Sequence, residues 1–347
     1  MRLIAGLAVA AVVLGAAGCG GGSSTDTAAS PSGSGTGKPP LRVGLAYDIG
    51  GRGDQSFNDS AAAGLDKAKK DFGITDSKEL EANQGETDAQ KEERLRLLAE
   101  GGYTPIIAVG FAYAGPLKKV ASEFPDTKFA IVDDQSTLAG NITNLVFAEE
   151  QGSFLVGAAA ALKSVKNNVG FVGGVQVPLI KKFEVGYIQG VKHQKPDVQV
   201  QVKYLTQPPD FSGFGDPAKG KAAAQGMYDS GADIVYQAAG GSGGGVFEAA
   251  KAAGAWAIGV DSDQAKTADP AVRDRILTSM VKKVDVAVYD FIKNNVDGTV
   301  KSGPIVYDLA KGGVDYATTG GHINDIVPQL EELKKQIISG QIKVASS

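Results

Sequence analysis

From Leu41 onward the chain alternates short apolar runs with amphipathic stretches, and it passes through that alternation about twice. The runs are Leu41–Tyr47, Pro105–Val109, Lys128–Val132, Val169–Val172, Asp233–Tyr236 and Trp256–Val260. Each is strand-length, rich in Val, Ile and aromatic residues, and bounded by Gly, Asp or Pro. Helical periodicity fills the gaps at 60–71, 86–100, 116–124, 152–163, 180–192, 217–229 and 246–253. Alternating strands and helices require parallel sheets, because a parallel connection needs a crossover of helix length. One series covers 41–147 and a second about 148–280, followed by a helix at 281–297, a strand at 305–308 and a last helix at 328–338. The predicted fold class is α/β, two doubly wound parallel-sheet lobes. Ligands of such sheets bind in the crevice beyond the strands' carboxyl ends. A two-domain α/β enzyme fits the same pattern, since fold does not fix function.

The segment before Leu41 has a different character. Residues 1–18 begin with Arg2 and continue as an apolar run from Leu3 to Ala17. That is a secretory signal peptide, too short and wrongly flanked for a membrane span. Small residues Ala16, Ala17 and Gly18 precede Cys19, the single cysteine of the chain. This junction resembles a bacterial lipobox, in which the cysteine thiol is acylated and becomes the new first residue; the bland alternative is a secreted protein with an incidental cysteine. Residues 19–40 are Gly, Ser and Thr with three prolines, a flexible linker. Its root-mean-square reach is about 25 Å. The expected location is the outer face of the cell membrane, lipid-anchored at Cys19.

Composition removes several function classes. With 35 basic and 39 acidic residues there is no electrostatic case for nucleic acid. Two histidines, His193 and His322, are too few and too far apart for a metal site, and no cofactor is expected. The glycine-rich turn QAAGGSGGGVF, with Asp261 following Gly241 by 20 residues, invites a dinucleotide reading. The spacing fails, because Val246 stands where that fingerprint needs a small residue. Nucleophile elbow, HExxH and phosphate-loop signatures are all missing from the sequence. An enzyme is not expected.

The residues just past each apolar run are the candidates for a site. Asp48 leads into IGGRGDQSFNDS, where Ser56 or Asn58 could cap the next helix with Phe57 at its mouth. Phe57 is either a hydrophobic staple or a ring presented to ligand. Further along stand Gly110 and Phe111, then Asp133 and Asp134. Lys181, Lys182 and Phe183 lie on the first turns of a helix, and Asp261 and Asp263 end the last run. Aromatic faces stack on flat rings, and a carboxylate accepts from vicinal hydroxyls. The inventory suits a planar, hydroxyl-rich, weakly charged solute.

Six ordered stretches carry a resemblance: GLAYDIGGRGDQSFNDSAAAGL, KFAIVD, VGFVGGVQVPLIKKFEVGY, DIVYQAAGGSGGGVFEAAK, IGVDSDQ and LTSMVKKVDVAVYD. In order they resemble the basic membrane lipoprotein family, purine nucleoside receptors of ABC importers. The resemblance implies a type I periplasmic-binding-protein fold with three crossovers at the hinge. It puts the N-terminal lobe at 41–147 and 281–303, and the C-terminal lobe at 148–280 and 304–347. It further implies that Phe57 stacks on the base, with Asp48 and Asn58 at the base edge. Phe111 and Asp133 would line the same side, and Phe183 would form an opposing wall. Gly240, Asp261 and Lys282 would hold the ribose. The implied partners are a nucleoside and an ABC permease, bound by a monomer. A sugar or signalling-molecule receptor of the same fold, or a nucleoside-cleaving enzyme, are the competing readings.

Overall fold

The structure, a computed structural model, describes residues 41–347. The signal peptide, the linker and Cys19 lie outside the described residues. The first lobe begins β1 (Arg42–Ala46), α1 (Phe57–Phe72), β2 (Asp76–Leu80) and α2 (Asp88–Glu100). It continues β3 (Ile106–Ala108), α3 (Ala114–Glu123), β4 (Phe129–Val132) and β5 (Ile142–Phe147). The second lobe runs α4 (Glu149–Lys163), β6 (Asn168–Val175), α5 (Pro178–Gln194), β7 (Gln199–Thr206) and α6 (Pro217–Asp229). Then come β8 (Ile234–Ala238), α7 (Gly243–Ala253), β9 (Trp256–Asp261), a short α8 (Gln264–Thr267) and β10 (Ile276–Lys282). The chain closes with α9 (Val284–Asp297), β11 (Gly303–Tyr307), β12 (Val314–Tyr316) and α10 (Val327–Ile338).

The strands form two six-stranded sheets, ordered β11-β5-β4-β3-β1-β2 and β12-β10-β9-β8-β6-β7. All pairings are parallel except β10 with β12. Central strands are apolar on both faces, as covering by helices on each side requires; Val43, Leu45, Ile106, Ile107, Ala130 and Ile131 are fully buried. In each sheet the strand order reverses once, between β1 and β3 and between β6 and β8. At such a reversal the loops that leave the strand ends diverge and open a crevice.

Three chain crossings join the lobes, at 147–149, 282–284 and 307–314. They are laced together: Ala148 N donates to Tyr307 O (3.1 Å) and Lys283 N to Gly313 O (2.9 Å). One expected boundary is displaced. Gly303–Tyr307 pairs in parallel with β5, so that strand completes the first sheet, and the third crossing follows it and not residue 303. Local apolarity predicts a strand here but carries no information on which sheet edge receives it. Helix α9 also belongs with the first lobe, where Asp285 N donates to Ser60 Oγ of α1 at 3.1 Å.

Candidate ligand-binding site

The loop after β1 is built around Asp54. Its carboxylate accepts from the backbone N–H of Ser56 (2.9 Å), Asn58 (2.8 Å) and Asp59 (3.1 Å), so it satisfies the free donors at the start of α1. Ser56 and Asn58, the expected caps, have other partners. The Ser56 hydroxyl crosses to the second lobe and donates to Asp261 Oδ2 at 2.7 Å. Asn58 Oδ1 accepts from Asp48 N at 3.0 Å, which fixes Asp48 at the strand end.

Between the two reversal points lies a cavity enclosing about 550 Å³, counting space open to solvent. Asp48, Phe57, Asn58, Phe111 and Asp133 line it from the first lobe, and Phe183, Gly240, Asp261 and Lys282 from the second. The structure therefore brings together all nine positions that the family resemblance points to, while the other strand-end candidates Asp134, Lys181, Lys182 and Asp263 do not line the cavity. It adds Asp54, Phe214, Ile49, Leu179 and Ile180 to the lining. Asp54 is legible as a capping residue type, Asp followed by a helix. Phe214 lies in the loop after β7, where Phe111 reaches across to Phe211 and Phe214 with ring centroids 6.1 and 6.5 Å apart.

Two glycines are required by geometry. Gly110 has φ 104°, and a Cβ there would lie 2.2 Å from Asp48 Oδ2, so only glycine lets the β3 loop close on that carboxylate. In the glycine-rich turn, a Cβ on Gly245 would lie 1.8 Å from Pro217 O. That part of the run serves the packing of α6 against α7, and of the run's glycines only Gly240 lines the cavity.

Charge in the cavity is lopsided: Asp48, Asp54, Asp133 and Asp261 face a single ammonium, that of Lys282. Lys282 is 1% exposed and its Nζ lies 2.5 Å from Asp133 Oδ2 and 3.5 Å from Glu149 Oε1. Rings of Phe57, Phe147 and Phe183 surround it at 5.0, 5.1 and 5.5 Å, within cation–π range. Burial pushes Asp48 and Asp54 up to about 6. Asp133 is pushed up to about 7, chiefly by burial; Lys282 pulls it down while Glu149 and Asp261 add to the rise. Burial also raises Asp261, against the pull of Lys282 and Ser56. For Lys282 burial acts to lower the value, but Asp133, Glu149 and Asp261 together hold it above its ordinary range. Asp133 Oδ1 is buried with no hydrogen-bond partner among the described residues, an acceptor in need of a donor. No group of three or more His, Cys, Asp or Glu among the described residues could hold a metal ion.

The lobes meet through further polar contacts beside the cavity. Gln264 Nε2 donates to Gln55 O (3.0 Å), Ser262 Oγ to Ser56 O (3.1 Å) and Gln84 Nε2 to Gly215 O (3.1 Å). A family model described as ABC transporter substrate-binding protein PnrA-like (Bmp) matches residues 42–347. The chain belongs to the Bmp family. A Bmp relative from Lactococcus lactis subsp. cremoris, an ABC transporter nucleoside-binding protein BmpA, is 34% identical over 90% of this chain and 91% of its own. A lipoprotein of Pyrococcus abyssi is 34% identical over 98% of this chain and 80% of its own. Among solved structures, an ABC transporter solute-binding protein from Aeropyrum pernix K1 superposes with a TM-score of 0.77 and 30% identity, covering 89% of this chain and 94% of its own. The Bmp chain is thus an ABC-type substrate-binding protein with a periplasmic-binding-protein-like fold. No helix among the described residues is long and apolar enough to cross a membrane.

Proposed function

We propose that this protein captures nucleosides, purine nucleosides above all, between its two lobes and delivers them unchanged to a membrane permease. One observation carries the reading. Aromatic rings and a surplus of carboxylate acceptors line the same cavity, with Lys282 already engaged by Asp133. A flat base stacks on Phe57, and the ribose hydroxyls donate to Asp261. The surplus negative charge rejects phosphate, so nucleosides enter and nucleotides do not. Kinship with a nucleoside-binding BmpA supports the choice of ligand. The lipoprotein name of the Pyrococcus relative supports acylation at Cys19, which would hold the protein, as a monomer, at the outer face of the membrane. Two or three acyl chains anchor far more firmly than one.

Calorimetric titration with inosine, guanosine, adenosine, free ribose and inosine 5′-monophosphate tests this, with chromatography of the mixtures for released base. Micromolar or tighter nucleoside binding, no response to the monophosphate and no free base are expected. Ribose outcompeting every nucleoside would make the protein a sugar receptor, and accumulating base would make it an enzyme.

A further inference from the structure

Glu149 does not line the cavity, yet it is fully buried beside Lys282. It is the first residue of α4, directly after the first chain crossing, and Lys282 is the last of β10, directly before the second. Lys182 Nζ holds Glu149 Oε2 at 3.2 Å. Oε1 points toward Lys282 at 3.5 Å and has no hydrogen-bond partner among the described residues. In the closed form the ammonium leans the other way, onto Asp133 of the first lobe at 2.5 Å.

Parting of the lobes breaks, with the other contacts between them, the Lys282–Asp133 and Ser56–Asp261 links. Lys282 and Asp261 then stay behind in the same lobe on adjacent strands, where Val281 stands opposite Asp261 in register. Opposite charges at neighbouring strand ends attract, and a Lys282–Asp261 pair would occupy the carboxylate that the ribose needs. Glu149 is the competing partner. It belongs to the same lobe, it is already oriented by Lys182, and its other oxygen faces Lys282 without a hydrogen bond. We infer that Glu149 is a positioning residue: it draws Lys282 into the wall of the second lobe when the lobes part, and so leaves Asp261 free for the incoming ligand. The step of lobe opening rests on the capture reading above.

Two readouts on the purified protein test it. In ligand-free protein, amine-reactive labelling followed by mass spectrometry reports how far Lys282 enters the open cavity. Glu149→Gln is expected to raise Lys282 labelling several-fold while other lysines stay unchanged. With inosine as the probe, Glu149→Gln is expected to weaken binding about tenfold, the lower end of a charge-assisted bond. The same change in a Lys282→Met background is expected to add less than about twofold, because coupled residues are non-additive. Glu149→Asp keeps the charge with a shorter reach and gives intermediate values; it stands in should Glu149→Gln not fold. Unchanged labelling, or an equal loss with and without Lys282, overturns the inference. If wild-type protein binds no inosine, the nucleoside reading fails, while the labelling result still decides the role of Glu149.

Discussion

Asp133 and Asp261 occupy matching places in the two lobes, at the ends of β4 and β9, and each is tied across the cleft in a different way. Both have left-handed backbone, φ 68° and 62°, a region Asp tolerates better than most side chains. Asp133 reaches an ammonium, Lys282, at 2.5 Å; Asp261 reaches only a hydroxyl, Ser56, at 2.7 Å. An ion pair in a buried site is hard to exchange for ligand hydroxyls, because separating it strands two charges. A neutral hydroxyl is readily exchanged. Under the proposed function, the first-lobe carboxylate would work as a latch between lobes, and the second-lobe carboxylate as the hand that holds ligand.

The sharpest way to break that distinction is to remove each carboxylate in turn. Asp261→Ala is expected to weaken inosine binding about 100-fold, from two charge-assisted bonds, with little change in melting temperature. Asp133→Asn should weaken it less than Asp261→Ala, because it chiefly weakens the latch between the lobes; equal losses would erase the contrast. Phe57→Ala is expected to cost about tenfold for every base alike, from lost stacking. A loss confined to one base would show that Phe57 reads an edge. Ser56→Ala should change affinity by less than about threefold, since ligand hydroxyls take over the bond that Ser56 makes to the Asp261 carboxylate.

Proton linkage sharpens the same comparison. Asp133 is raised from its ordinary carboxylate value to about 7 in the folded chain, so unfolding releases its proton. The stability it contributes is fully present below pH ~4, and it is lost as pH rises through about 7. Asp48 and Asp54, raised to about 6, act in the same direction. The ligand-free protein should therefore melt at a higher temperature at pH 5 than at pH 8. Asp133→Asn should flatten that slope; a slope of opposite sign would contradict the burial of these carboxylates.

The sheets are partly legible in the amino-acid sequence, and the gaps follow a pattern. Central strands such as Phe129–Val132 are buried on both faces and read as plain apolar runs. Edge strands do not. Asp76–Leu80 is half-buried and charged, and Gln199–Thr206 alternates polar and apolar along a solvent-facing edge. Ile142–Phe147 hides its run behind buried Asn144, whose amide bonds Asp134 O and Thr137 O. The weak signal of β7 has a consequence at the site, since the loop that follows it carries Phe211 and Phe214. The strand-end aspartates and Phe57 are visible because each ends or follows a readable strand. Contacts that need two lobes, such as Ser56 with Asp261, leave no local signature in either segment. The same holds for Glu149 and Lys282, which lie far apart in sequence and meet only at the chain crossings.

A crystal structure of the protein with inosine bound is the most direct measurement. It should show the base against the Phe57 ring, the ribose hydroxyls within hydrogen-bond distance of Asp261, and Lys282 still on Asp133. Inosine seated outside the cleft, or ribose oxygens turned away from Asp261 with the lobes closed around them, would contradict the account.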